Sequence, residues 1–365
     1  MTVAPVIDDG HPASAAEQTV QPAVPVVILN WNGFEDTQQC VDHLLASQGV
    51  SFRVILVDNG SDGDDCDRLK GRYGDHPLVD LHCNTENLGF ARGMNRILAE
   101  LLAAGDGESP YVVLLNNDAF PEPEWLAALV ETAESTNAGA VASCMLRHDN
   151  PALLDNAGHA FLNTGEVLPR GTAESPLEHA RENEVEGVCG GACLLRLEML
   201  EDIGLFDEFY STGYEDAELG LRAMLAGYTQ IYQPRARVRH KIGASIDKIR
   251  DLDYAVRLQL NINYAYFKLM PWTVIAWNLP WIVLKTIALL AVPAITGRWR
   301  LLRVQWQAQV QTVKYWPVIR QARRKGAVRR ISVLEVMRRQ EFFLGRYWRY
   351  FRRFVLAREA TIFER

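Results

Sequence analysis

The chain has 365 residues, 48% of them hydrophobic, and a net charge of −7, which allows one large or two medium buried cores. The charge is divided: Arg298 to Arg365 carries 18 Lys/Arg against 4 Asp/Glu, leaving 20 against 41 for the rest. An acidic body of this kind argues against a nucleic-acid-coating protein, while the basic tail calls for an anionic partner.

The first 22 residues are rich in Ala, Pro and Val, with Asp8, Asp9 and Glu17 and no base. They lack the positive start and apolar core of a secretory signal and read as a disordered leader. Val24–Asn30 is a short apolar run ending in Asn-Trp-Asn-Gly, a buried strand and then a loop. Asp36 is expected to cap a helix through Cys40, Leu44 and Leu45. Phe52–Val57 is a second strand, halted at the polar cluster Asp58–Asp62, and Leu78–Cys83 a third. Gly89–Ala104 has helical spacing, Tyr111–Leu115 is a fourth strand, and Pro121–Glu134 reads as a helix with proline near its start. Residues 163–186 are polar and aperiodic and read as a long loop, of the kind that more often binds than fills. Glu215–Ala226 is a helix stopped by Gly227; Thr229–Gln233 and Arg237–His240 look like a strand and a strand end.

Strand–helix alternation at this spacing predicts an α/β fold with a mostly parallel sheet and helices on both faces. Ligands of such sheets bind beyond the carboxyl ends of the strands. Three of those ends carry polar clusters: Asn30–Asn32, Asp58–Asp62 and Asn116–Asp118. The last suits a divalent ion completed by phosphate oxygens, or equally an Asx turn leading into Pro121. Glu215-Asp216 opens a helix; acids there are favoured by the helix dipole, and one of them could act as a general base. His240 is a structural imidazole or a metal ligand. Cys40, Cys66, Cys83, Cys144, Cys189 and Cys193 are scattered and read as reduced thiols without a zinc motif.

The ordered blocks decide among these readings. They are Val-Val-Ile-Leu-Asn-Trp-Asn-Gly at 26–33, Ile-Leu-Val-Asp-Asn-Gly-Ser at 55–61, Asn-Leu-Gly-Phe-Ala-Arg-Gly-Met-Asn at 87–95 and Leu-Leu-Asn-Asn-Asp at 114–118. Gly-Gly-Ala-Cys-Leu-Leu-Arg at 190–196, Gly-Leu-Phe-Asp-Glu at 204–208, Tyr-Glu-Asp-Ala-Glu-Leu-Gly-Leu-Arg at 214–222 and His240 follow. In order and spacing the stretch 24–240 resembles the family 2 glycosyltransferases of GT-A fold, especially the rhamnosyltransferase-like branch of bacterial cell-surface synthesis.

The resemblance implies an inverting transferase using a dTDP- or UDP-sugar, a glycan or lipid-linked acceptor, and Mg2+ or Mn2+. It implies that Asn30 and Asn32 border the nucleotide, that Asp58 bonds the base edge, and that Asn87, Gly89, Arg92 and Asn95 lie beside the donor. Asn116 and Asn117 stand at the donor where many relatives have Asp. Asp118 and His240 match the metal ligands, Asp216 the catalytic base with Glu215 its acidic neighbour, and Gly190, Gly191 and Ala192 the acceptor side. Glu218 stands where Asp is commoner.

The expected organisation is a leader at 1–22, a GT-A domain at 23–245 and a helical, membrane-associating region at 246–365. Trp272–Ile295 is long enough to cross the roughly 30 Å hydrocarbon core, but Asn278, Pro280 and Lys285 oppose a span. Its tryptophans and the Arg/aromatic tail favour lying on an anionic membrane surface. The expected location is cytoplasmic, peripheral on the inner face of the cell membrane, with a single span as the alternative. No nucleic-acid module accompanies the arginines. The rival functions are a sugar nucleotidyltransferase, which would show a Gly-rich basic loop after the first strand, and an inactive membrane scaffold of the same fold.

Overall fold

The computed structural model describes residues 22–105, 109–211, 213–241 and 252–350, without the side chains of Arg349 and Tyr350. All of the expected leader but Pro22 lies outside the described residues. Strand β1 (Val24–Asn30) is followed by α1 (Phe34–Leu45), β2 (Phe52–Asp58), α2 (Asp65–Tyr73), β3 (Val79–Cys83), α3 (Gly89–Ala104) and β4 (Tyr111–Asn116). Short strand β5 (Ala119–Pro121), α4 (Trp125–Thr136), β6 (Ala140–Arg147), β7 (Leu154–Asn156), β8 (His159–Phe161), β9 (Val167–Pro169) and β10 (Asn183–Glu184) come next. Then come β11 (Ala192–Arg196), α5 (Leu197–Ile203), α6 (Glu215–Ala226) and β12 (Gln230–His240).

The main sheet runs β10-β12-β6-β11-β4-β1-β2-β3, with β5 on β12 and β7 on β6. Pairing is parallel from β3 through β2 and β1 to β4, and again between β6 and β12. β11 runs antiparallel between β4 and β6. The strands read as apolar runs because helices cover both faces: one core joins Ile28, Leu56 and Leu115 to Leu44 and Trp125, the other joins Val27, Val57 and Leu114 to Met94 and Leu98. The reversal at β11 brings its first residue, Ala192, opposite Leu115, so that Gly190 and Gly191 stand beside the end of β4. β12, running the same way as β4 and β6, delivers His240 to that edge.

A helical layer follows: α7 (Leu252–Leu269), α8 (Trp272–Ile295), α9 (Trp299–Lys314), α10 (Trp316–Lys325), α11 (Val333–Arg338) and α12 (Phe343–Tyr350). It shares a core with α6 through Tyr214, Leu221, Leu225, Tyr264, Tyr266, Met270 and Ile319. Lys268 bridges Asp207 and buried Glu218, at 2.7 and 2.6 Å, and pins α7 to α6.

Several local expectations are corrected. Asp36 lies in the first turn of α1, whose N-cap is Gly33 with no side-chain cap; its carboxylate pairs with Lys241 instead. Pro121 ends β5, opposite Val238, and α4 begins later, at Trp125. The stretch 163–186 holds β9, a 3-10 turn at Pro176–His179 and β10, which are too short for periodicity to register. The strand and strand end on either side of Pro234 are continuous, with a register shift between Gln233 and Arg237, where proline has no N–H to give the ladder. Of the six cysteines, Cys66 and Cys83 form a disulfide: the parallel β2–β3 pairing brings the start of α2 beside the end of β3, with Cα atoms 6.3 Å apart. The other four are free thiols.

Candidate active site

Three loops at the carboxyl edge of the sheet are tied into one frame. Asn30, fully buried at the end of β1, donates to Asp58 Oδ1 at 2.7 Å and accepts from Thr37 Oγ1 at 2.8 Å. Asn117 donates to the same Thr37 oxygen at 3.0 Å, which anchors the end of β4 to α1. Both oxygens of Asp58 are engaged by Ser61, through its hydroxyl at 2.6 Å and its N–H at 3.1 Å. Asn32, with φ of 52°, exchanges hydrogen bonds with Asp62. Asn30, Asp58 and Asn117 thus shape the edge from within.

On α3 the expected donor residues separate. Asn87 accepts from Asn59 Nδ2 and from the Gly89 N–H, shaping the turn into the helix. Arg92 is exposed, 3.3 Å from Glu208. Asn95 is turned the other way, clasping the Phe206 backbone through both N–H and C=O at 3.0 and 2.9 Å. Its amide is spent on holding the 204–208 loop.

Asp118 and His240 meet as expected from their places on the sheet. His240 Nε2 lies 3.3 Å from Asp118 Oδ1, and Nδ1 lies 2.8 Å from Asp155 Oδ2. Burial alone would lower the pKa of this imidazole, but the two carboxylates beside it, Asp118 and Asp155, outweigh burial and raise it to about 10. Nε2 is buried and lacks an aligned hydrogen bond among the described residues. The pair fits a divalent ion: ligands at about 2.1 Å in an octahedral shell stand about 3 Å apart, and a carboxylate behind the second ring nitrogen is the usual orienting partner of a metal-bound imidazole. Asp155 had no signal in the sequence, because the pairing of β7 with β6 alone brings it there.

Glu215 and Asp216 open α6 but point into different surroundings. Tyr214, the residue before them, has φ of 81°, a rare value for a side chain of this size. Its hydroxyl accepts from the Val167 N–H at 2.6 Å, locking that geometry. Asp216 is half-buried and accepts from the Gly190 N–H at 2.9 Å and the Ala217 N–H at 2.7 Å. A Cβ on Gly190 would come within 3.3 Å of Asp216 Cβ, and one on Gly191 within 3.1 Å of Asn116 Nδ2. Glu215 faces inward; burial first, then the charge of Asp216, raises its pKa to about 8. Burial thus favours the protonated form of Glu215.

Glu218 serves the scaffold: it takes both bonds from Arg222 Nε, and Arg222 in turn donates to the carbonyls of Ile203, Gly204 and Leu205. Two further neighbours of Asp216 had no motif in the sequence. His159 and Cys189 bring ligand-type atoms within 4.8 Å of it and of one another. Burial lowers the His159 pKa, against the opposing charge of Asp216, leaving a neutral imidazole.

The comparisons agree with this geometry. A model of the family described as "Glycosyltransferase like family 2" matches residues 22–259. The chain is 30% identical over 236 residues to the N-acetylglucosaminyl-diphospho-decaprenol L-rhamnosyltransferase of Mycobacterium tuberculosis, covering 60% of this chain and 75% of that protein. It is 29% identical over 245 residues to the O-antigen biosynthesis protein RfbC of Myxococcus xanthus, covering 64% and 18%. Among solved structures it is similar in fold to the mannosyltransferase PcManGT from Pyrobaculum calidifontis in complex with GDP-Man and Mn2+, with a TM-score of 0.51, 18% identity and 81% and 88% coverage. GalNAc-T7 with UDP, GalNAc and Mn2+ matches with a TM-score of 0.51, 16% identity and 67% and 51% coverage. With the family model spanning the whole sheet and its carboxyl edge, the chain belongs to glycosyltransferase family 2 and is a glycosyltransferase of GT-A fold.

Proposed function

We propose that the chain transfers rhamnose or another deoxysugar from a dTDP- or UDP-linked donor to a hydroxyl of a lipid-linked or cell-surface glycan, with inversion at the anomeric carbon. The carrying observation is Asp216, a half-buried carboxylate fixed by two backbone N–H groups on the same sheet edge as Asp118 and His240. Burial favours the protonated form of its neighbour Glu215, which leaves Asp216 to take the acceptor proton. As it does so, the acceptor oxygen attacks the anomeric carbon opposite the nucleotide, the new glycosidic bond forms, and the bond to the diphosphate breaks. One displacement of this kind needs one base and no sugar–enzyme bond.

Asp118 and His240 Nε2 would hold Mg2+ or Mn2+, which supplies positive charge against the departing diphosphate. Asp155 holds Nδ1 and so orients the ring with Nε2 toward that position, where an ion would replace the Nε2 proton. The frame of Asn30, Asn32, Asp58, Asn87, Gly89, Asn116 and Asn117 borders the donor, and Arg92 is within reach of it from α3. Gly190 and Gly191 keep the acceptor side open because a Cβ there would crowd Asp216 and Asn116, and Ala192 follows them at the start of β11.

The name of the Mycobacterium tuberculosis relative supports both a rhamnosyl donor and a polyprenol-linked acceptor. The Mn2+ in the two solved structures supports the metal. Together with one long apolar helix, the lipid-linked acceptor supports peripheral attachment at the inner face of the cell membrane. The test is a panel of dTDP- and UDP-sugars scored for metal-dependent protection against thermal unfolding and for transfer. Protection by a dTDP-deoxysugar with Mn2+ or Mg2+ is expected; protection by none of the panel sinks the reading.

A further inference from the structure

Helix α8 has an inside and an outside that do not resemble each other. Its buried line is Val274, Ile275, Asn278, Lys285 and Pro293. The polar members of that line are all answered by the protein. Asn278 donates to the Tyr266 hydroxyl at 3.2 Å and to Gln340 Oε1 at 3.0 Å. Lys285 donates to Glu166 at 2.5 Å and to the Thr164 carbonyl at 3.0 Å, and Glu166 also accepts from Thr164 and Tyr347. The rest of the helix is apolar and open: Trp277 is 69% exposed, Ile287 58% and Ile295 84%. Only 22% of its most apolar stretch is buried, at a mean hydropathy of 1.7.

The open surface does not end with α8. The neighbouring α9 buries Val304, Ala308 and Thr312 at a spacing of four, and turns Trp299, Arg303, Trp306, Val310 and Val313 outward at alternating spacings of four and three. On the other side, Trp281 packs edge-on against Phe342, itself half-exposed, with ring centroids 5.1 Å apart. Arg300 and Arg303 are exposed at the start of α9 and have no acidic partner among the described residues. No Asp or Glu occurs anywhere between Asp253 and Glu335. Exposed indoles beside unpaired arginines, with no acid near in sequence, match the interface of an anionic bilayer: rings at the headgroup level, cations among phosphates, aliphatic side chains below.

The orientation follows from the buried line. It runs from Val274 to Pro293, about 28 Å at 1.5 Å per residue, and it is seated on the catalytic domain at its middle through Lys285 and Glu166. A helix crossing the membrane would carry the β8–β9 turn, with Thr164 and Glu166, to the centre of the hydrocarbon. Freeing the helix from that turn would leave two buried charges without partners. A helix lying in the plane keeps both pairs and immerses only the face that is already apolar.

Resting on the reading of a membrane-surface enzyme, we propose that the outward faces of α8 and α9 form one in-plane anchor on an anionic bilayer, with both ends of α8 on the side of the catalytic domain. The full chain is expected to float with vesicles rich in phosphatidylglycerol and to stay behind with phosphatidylcholine alone. Trp277→Glu with Ile287→Glu abolishes flotation, and Arg300→Gln with Arg303→Gln weakens it roughly 30-fold, at about 1 kcal/mol per basic residue near the surface. Circular dichroism and melting of both variants are checked against the parent.

Topology is read separately, in inside-out bacterial membrane vesicles carrying the full chain with Thr273→Cys or Thr296→Cys. An impermeant maleimide should label both positions, above the background of the parent, before detergent is added. Protection of either end until detergent overturns the in-plane orientation. Failure of the parent to bind anionic vesicles, or a lipid-free dimer dissolved by the Trp277/Ile287 double variant, overturns the lipid assignment, the dimer giving the face to a second copy. None of these readouts uses turnover, so they stand or fall apart from the transferase reading.

Discussion

The sheet edge around Asp118 and the helical layer around Lys285 both bury charged groups, with opposite results. At the edge, His240 Nε2 and one oxygen of Glu215 are buried without hydrogen-bond partners among the described residues. In the helical layer, the side chains of Lys285 and Glu166 make two and three hydrogen bonds, counted with each other, and Lys268 bridges Asp207 and Glu218. Buried polar groups cost free energy unless paired. The surfaces of the two regions invert the pattern: the carboxyl edge is polar and small-residue lined, whereas α8 and α9 turn tryptophans and aliphatics outward.

The contrast can be broken by substitution. The largest effect is expected at Asp216→Asn, which should lower turnover by roughly 10²–10⁴-fold as general bases do, while calorimetry still detects donor binding; unchanged turnover would remove Asp216 from the mechanism. Next, Lys285→Met strands buried Glu166 and should destabilise the fold by about 3–5 kcal/mol in denaturant unfolding. Adding Glu166→Gln should recover much of that loss, and failure of the recovery would show that packing rather than the charge pair carries it.

Glu215 supplies a pH test of the open site. Its folded pKa of about 8 stands above the ordinary 4.5, so between these values the native state holds a proton that the unfolded chain has released. Stability from this group is therefore present below pH 4.5, declines as pH rises through that window and levels off above about 8. Glu215→Gln should flatten the decline in melting temperature between pH 5 and 9; an unchanged slope would locate the proton elsewhere.

Smaller effects sharpen the boundary between the two regions. Asp155→Asn should weaken metal-dependent donor binding by about 10–100-fold, as loss of an orienting partner does, without altering metal-independent melting to the same degree. Tyr214→Phe removes the acceptor for the buried Val167 N–H and should cost about 1–2 kcal/mol of stability. If it instead lowers turnover more than stability, the strained residue also sets the position of Asp216.

Much of the fold was legible before any coordinates. The four leading strands, the helix at Gly89–Ala104 and the helix at Glu215–Ala226 announce themselves through apolar runs and turn residues, because local burial imposes local periodicity. The polar strand ends followed from the sheet class, and the ordered motifs gave Asp118, His240 and Asp216 their expected roles. The bonds of Asn95 to the Phe206 backbone were not legible, because a motif reports that a residue matters and not which way its side chain turns.

What the sequence by itself determined is the class of the molecule and the types of group at its edge: carboxylates, an imidazole and glycines in a family 2 order. Only the tertiary structure decided which of them meet. Asp155 reaches His240 across β7 and β6, His159 and Cys189 arrive beside Asp216 from distant segments, and Cys66 finds Cys83 through a parallel strand pair. It also decided that Lys285, which as a bare charge in an apolar helix argued against a span, faces Glu166 inside the protein and leaves the other face of α8 free. Such contacts join residues far apart in the chain, so no window along it carries their signal; they exist only once the sheet has closed and the helices have packed.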